Sequence, residues 1–362
     1  MRYIHTRRKV YMKRTILLFL VLVLFGTLVT GVFAQTSTPV DLIEDFKEGF
    51  QDFSDDVASV LPMNSTIGLN WSDPYIGQLI ALPPNLGVGV TMGVTGIPYD
   101  SIETILVDTL GGSESDIPSV IRDYGLPLPA IAIDARLGGF VLPFDLGFKI
   151  GFIPKTITDQ IGDDISIDFL LIGGDIRYRV MKQRFVVIPE VSVGVGYNYL
   201  KGSAEFGGVL PSLFEITLPA PPTGYTAWSE GDKLTLSSPD FFIEWETQVI
   251  DLKAQASWSI LFLQPSVGIG ASYGMSEVGG GAKSEVQLNG APISSDAKQA
   301  LKALGFDIED TSIGVFSDVN GWAFRLFGGL SVNILVLRID AGIQYNLIGK
   351  NLGASIGARV QL

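Results

Sequence analysis

Leu352-Gly353-Ala354-Ser355-Ile356-Gly357-Ala358-Arg359-Val360-Gln361-Leu362 closes the chain with an apolar or small aliphatic side chain at every even position. Gly353, Ser355, Gly357, Arg359 and Gln361 fill the odd ones. A period of two is that of a β-strand whose two faces meet different surroundings. Upstream, Ile339, Ala341, Ile343 and Tyr345 alternate with Arg338, Asp340, Gly342, Gln344 and Asn346. Phe324, Leu326, Leu330 and Val332 alternate with Arg325, Ser331 and Asn333. A slip of one residue would exchange the faces and put Arg338, Asp340 and Arg359 on the apolar side, so the register is strongly specified.

The same alternation recurs from Leu86 onward. Val88, Val90, Met92 and Val94 face away from Gly87, Gly89, Thr91 and Gly93; Phe144, Leu146, Phe148, Ile150 and Phe152 face away from Asp145, Gly147, Lys149 and Gly151. Similar strands are read over 131–138, 175–180, 191–199, 252–259 and 267–274. The chain of 362 residues is 47% hydrophobic and only 17% charged, below the roughly 25% charged of soluble domains. After residue 35 no apolar run is long enough for a helical span. High hydropathy carried by alternate residues predicts an antiparallel transmembrane β-barrel, with one face in lipid and the other in a lumen. A basic side chain turned into mid-membrane lipid would cost about 2–4 kcal/mol.

Connections alternate in length. Short links fall at 139–143, 181–184, 260–264 and 334–336, and long ones at 95–129, 153–164, 201–240 and 275–321. Short turns on one rim and long loops on the other are the outer-membrane pattern, with the C-terminus on the periplasmic side and the short external turn at 347–351 as the exception. The reading gives ten strands or more (10–14), with 64–80 and 201–240 as places for further ones. Keeping parity requires a bulge near Gly173–Gly174 and another between Val249 and Asp251. The Trp and Tyr residues are expected as interfacial girdles, and the many glycines as room-makers in a crowded lumen.

The N-terminus reads as a secretory signal peptide over 1–34. Arg2, Arg7, Arg8, Lys9, Lys13 and Arg14 precede an apolar run from Ile16 to Phe25, and Val32 and Ala34 stand before a cut at Gln35. Its removal takes the net charge from −13 to −19, which argues against nucleic acid or anionic lipid headgroups as partners. There is no cysteine, and the one histidine is His5. The mature chain therefore has no Ser-His-Asp triad, no Cys-His nucleophile and no histidine zinc motif. No enzyme is expected, and no cofactor or metal.

Residues 35–85 are expected as an N-terminal helical segment, a plug or periplasmic cap, ahead of the barrel at 86–362. Val40, Ile43, Phe46, Phe50, Phe53, Val57 and Val60 recur at three and four residues, which predicts an amphipathic helix ending at Pro62. The lumen is expected to be lined by Asp134, Arg136, Asp145, Lys149, Asp175, Arg177, Arg179, Lys253, Arg325, Arg338, Asp340 and Arg359, with Glu190 nearby. Two uses fit such mixed charge: a selectivity site for a polar solute, or ion pairs that satisfy one another in a narrow barrel. Arg177 and Arg179, near Asp134 and Arg136, are the best candidates for a solute site.

On these residues the chain resembles the bacterial outer-membrane β-barrel proteins. Ala354 to Leu362 resembles the C-terminal strand read by the barrel-assembly machinery, with Leu362 and Val360 where that family usually has aromatics. The helix at 40–60 before the first strand is similar to the plan of the outer-membrane long-chain fatty-acid transporters. The resemblance implies the outer membrane of a diderm bacterium, with outer-membrane lipid and the assembly machinery as partners. It also implies a channel or transporter for a small or amphipathic solute whose lumen the helix restricts. The alternative is a non-transporting surface barrel, an adhesin or envelope-structural protein, acting through its long external loops.

Overall fold

A computed structural model describes residues 39–79, 84–103, 119–139, 142–153, 165–185, 187–206, 214–218, 220–222, 225–236, 240–283, 286–303 and 312–362. The signal peptide lies outside the described residues. Ten strands close into one antiparallel barrel: β1 (Leu86–Ile97), β2 (Leu126–Gly138), β3 (Phe144–Phe152), β4 (Ile165–Met181), β5 (Glu190–Phe206), β8 (Asp240–Ser257), β9 (Leu263–Lys283), β12 (Ser312–Ile334), β13 (Leu337–Asn346) and β14 (Leu352–Gln361). Closure is by β1 against β14, with Gly87 opposite Gln361 and Thr95 opposite Gly353. Between these strands, β6 (Phe214–Thr217), β7 (Lys233–Leu236), β10 (Val286–Leu288) and β11 (Ala291–Pro292) form a separate four-stranded sheet. Helix α1 (Pro39–Asn64) precedes the barrel, the short helices α2 (Tyr99–Glu103) and α3 (Ser119–Tyr124) lie between β1 and β2, and α4 (Ser295–Ala303) lies between β11 and β12.

The alternation places Val88, Val90, Met92, Phe148, Ile150, Ile339, Ile343, Ile356 and Val360 on the exposed outer face. Arg338, Asp340 and Arg359 face inward, as the register requires. On β14 the outer apolar row runs ten residue steps from Leu352 to Leu362, about 25 Å at usual strand rise and tilt, which matches the apolar band of a membrane barrel. Tyr273, Trp322 and Phe324 pack ring to ring on the outer face, with centroids 5.2 Å and 5.9 Å apart.

The wall is uneven. β5, β8, β9 and β12 continue well above that band on the long-loop rim; β12 runs ten residues past Trp322 to Ser312, roughly 25 Å of further height. The ends of the expected loops 201–240 and 275–321 are therefore strand, over 201–206, 275–283 and 312–321. The minor sheet accounts for another part, with its own core of Leu218, Trp228, Ala297, Ala300 and Leu301 shared with α4.

Neither expected bulge exists. β4 pairs without a break through Gly173 and Gly174, and β8 through Val249 and Asp251; the irregularity lies between Arg179 and Met181. Parity is kept because Phe169, Leu171, Ile243, Trp245 and Val249 point inward, although apolar. Glu244, Glu246 and Gln248 face outward, on the same face as Leu252, where β8 rises beyond the apolar band. The interior accepts apolar side chains there because α1 fills it. Its 26 residues, about 39 Å long, run down from the long-loop rim. Val57, Ala58, Val60 and Leu61 share one core with Leu128, Phe169, Leu171, Leu200, Ile243, Trp245 and Val278. Residues 64–79 add no barrel strand; they make one isolated bridge, Gln78 to Gly139.

Glycines on the wall admit this insertion. A Cβ on Gly280 would lie 2.5 Å from the Phe50 ring, on Gly274 2.4 Å from Pro62, on Gly93 2.8 Å from Ile67, and on Gly87 2.7 Å from the Trp71 ring. These four contacts step from the upper wall toward the short-turn rim, so the chain descends the lumen before turning up into β1.

Candidate functional site

Below the apolar zone lies a polar one, and residues 65–79 run through its middle. Asp73 is the only charged residue between Asp56 and Asp100, and it is buried. Arg338 Nη1 donates to its Oδ1 at 2.7 Å, Arg359 Nη2 pairs with its Oδ2, and Arg177 Nη1 donates to its backbone oxygen. Three strands are thereby tied to one residue of the inner segment.

The twelve residues assigned to the lumen all lie inside the barrel. Asp145 accepts from Arg136 at 2.5 Å and from both Nε and Nη2 of Arg177 at 2.9 Å, a fork geometry that is strong when desolvated. Arg136 also reaches Asp175 at 3.0 Å and Leu69 O at 3.1 Å, and Lys253 pairs with Asp175 at 2.6 Å. Lys149 donates to Ser65 O at 2.5 Å and Ile67 O at 2.8 Å. Asp134 accepts from Trp71 Nε1 at 2.9 Å and Thr91 Oγ1 at 2.6 Å. Arg359 reaches Asp340 at 2.6 Å and lies over the Trp71 ring at 4.3 Å. Arg325 pairs with Asp251 at 2.8 Å, and Arg179 with Glu190 at 3.4 Å.

The pairing differs from the suggested solute site. Arg177 and Arg136 meet through their shared Asp145, while Asp134 belongs to Trp71 and Thr91. Arg179 lies over the Tyr75 ring at 4.2 Å near the rim. Trp71, Trp228 and Trp245 are buried in the interior or the minor sheet rather than in an interfacial girdle, because each covers a partner there. The sequence reading missed Asp73, Trp71, Asp251 and Gln255, whose Nε2 donates to Trp71 O at 3.0 Å and Ser72 O at 2.9 Å.

Chemically this is a clasp. Buried guanidiniums are matched by carboxylates and by carbonyls of the inner segment, which satisfies charges that would be costly alone. Arg136, Arg177 and Arg325 are among the largest fully buried side chains.

No family model matches the chain, and no curated protein matches it. Among solved structures it is similar to the outer-membrane protease OmpT of Escherichia coli, at 7% identity and TM-score 0.35, over 77% of this chain and 97% of that one. It is also similar to a major outer membrane protein of Thermus thermophilus, at 11% identity and TM-score 0.28, over 76% and 99%. A third is the transport unit of the autotransporter AIDA-I of Escherichia coli, at 12% identity and TM-score 0.33, over 88% and 99%.

Proposed function

We propose that this protein is a closed, non-conducting outer-membrane barrel that acts through a platform on the external side. The observation that carries the reading is the clasp: residues 65–79 are held by side chains from β2, β3, β4, β8, β13 and β14. Opening a path would strip buried arginines of partners, at about 3–5 kcal/mol for each pair broken. The tall wall, the minor sheet and the N-terminal end of α1 supply the platform, and in this reading it binds without catalysis. β14 is the segment the barrel-assembly machinery would read. A plugged transporter for a small or amphipathic solute is the second reading, favoured by the N-terminal chain lying in the lumen.

Single-channel recording of residues 35–362 in a planar bilayer tests the choice. The closed barrel gives no stepwise current at any applied voltage while remaining folded and heat-modifiable on a gel. Steady current from the intact chain, or current induced by an added amphipathic solute, would reject it in favour of the transporter.

A further inference from the structure

We propose that the outer face of the tall wall carries a groove for an extended basic peptide segment of a partner protein. The inference rests on the reading of that wall as an external platform, and it names what the platform binds. A cavity of about 560 Å³ crosses this face from β4 to β12, within the size range of ligand sites. Strand register arranges the outward side chains here in two rows. In the lower row Lys201 stands opposite Glu246, Glu246 opposite Glu277, and Glu277 opposite Asp318. In the upper row Asp168 stands opposite Ser203, Ser203 opposite Glu244, Glu244 opposite Gly279, and Gly279 opposite Phe316. A Cβ on Gly279 would lie 2.4 Å from the Phe316 ring, so the ring lies across that glycine. Phe316 is nonetheless 61% exposed.

The rows stand clear of lipid. Glu277 and Asp318 lie four residues above the pair Tyr273 and Trp322, about 10 Å higher at usual strand rise and tilt. The polar layer of a bilayer is only about 5–8 Å thick on each side. The charge is one-sided. Lys201 pairs with Glu246 at 3.0 Å, and among the described residues Asp168, Glu244, Glu277 and Asp318 have no salt-bridge partner. Like charges directly opposite one another on a sheet are destabilising, so a row with Glu246, Glu277 and Asp318 side by side favours a cation brought from outside. The ring fits the same chemistry, because cations are attracted to aromatic faces. On this wall Lys283 Nζ lies over the Phe242 ring at 4.2 Å, and among the described residues no cation covers Phe316. The same charge disfavours an anionic lipid headgroup or a second copy of this acidic chain. From β4 to β12 is four inter-strand steps, about 19 Å, a distance that about six extended residues span. An arginine- or lysine-rich segment can therefore set its side chains between the carboxylates and over the ring.

The test uses residues 35–362 folded into phosphatidylcholine vesicles, whose surface carries no net charge. The probe is a fluorescein-labelled arginine hexapeptide, and its anisotropy reads binding at about 150 mM salt, where attraction between exposed charges is screened beyond about 8 Å. Glu244→Gln combined with Glu277→Gln should weaken binding about fivefold, the loss of two exposed ion pairs, and Phe316→Ala about threefold. Glu230→Gln combined with Asp123→Asn makes the same change in net charge at exposed positions outside the groove and should leave binding within about 1.5-fold of the parent. Equal weakening by the two double variants, an unaffected Phe316→Ala, or no binding by the parent would overturn the proposal. The platform is checked separately with Asp318→Cys, which a membrane-impermeant maleimide should label on intact cells. Labelling without peptide binding rejects the groove alone. Failure to label rejects the external placement of the wall, and the platform with it.

Discussion

Replacing Asp73 by alanine removes the one carboxylate that the inner segment offers to the wall. Arg359, with 1% of its side chain exposed, keeps Asp340 as its one carboxylate beside Gln361 Oε1 at 3.2 Å and the Trp71 ring, and Arg338, with 20% exposed, keeps only its 3.3 Å contact to Gln264. Breaking a buried pair from one side costs about 3–5 kcal/mol. Solvent access at Arg338 and the surviving Asp340 pair reduce this, so about 3 kcal/mol is expected. For a domain of this size or somewhat smaller, one kcal/mol moves the thermal midpoint by about 2–4 °C, which gives a fall of roughly 6–12 °C. The assay is the temperature at which the compact, fast-migrating gel form is lost, compared between the parent and Asp73→Ala. A midpoint within about 1 °C of the parent would refute the view that Asp73 fastens the segment.

Other consequences are open to measurement. Gly274→Val drives a side chain into Pro62, 2.4 Å from the position of the new Cβ, and overpacking of this kind costs about 1–3 kcal/mol; the gel midpoint should fall, and an unchanged one would place α1 elsewhere. The descent of α1 from the long-loop rim puts Pro39 on the external side, so an epitope inserted next to it should bind antibody on intact cells, and access only after lysis would contradict the path. Asp232 is held below the usual aspartate range by the Ser229 backbone N–H and by Asn289. That stabilisation is present above the unfolded value and is lost as pH falls through the folded one. Acid should therefore shift the emission of buried Trp228, and Asp232→Asn should show the acid-like emission already at neutral pH.

The lower halves of the strands were legible because lipid and a polar interior impose opposite demands on successive residues. Arg338, Asp340 and Arg359 leave no second register for β13 and β14. The upper halves were not. Leu171, Ile243 and Val249 look misplaced until α1 is inside, since an apolar plug inverts what an inward face should contain. Inserting two bulges was the sequence-level remedy, and the helix removes the need for them. The lumen charges were legible as a set, but their pairing was not, because it depends on residues 65–79, which show no periodicity. One signal was present: Asp73, isolated in a long uncharged stretch, facing an interior with more cations than acids. Leu261 and Leu335, at tight turns with φ 54° and 56°, are the opposite case, since neither composition nor period marks a residue whose φ is positive.

The claim that the chain occupies its own lumen is tested most directly by cross-linking. Ile67→Cys with Gly93→Cys puts two thiols where Ile67 Cδ1 lies 2.8 Å from the position of the Gly93 Cβ, in a protein with no other cysteine. Oxidation of the folded protein in its membrane should join them into a disulfide, seen as a reducible mobility shift after denaturation. Two free thiols that both react with a bulky maleimide would show an empty lumen at this level and contradict the account.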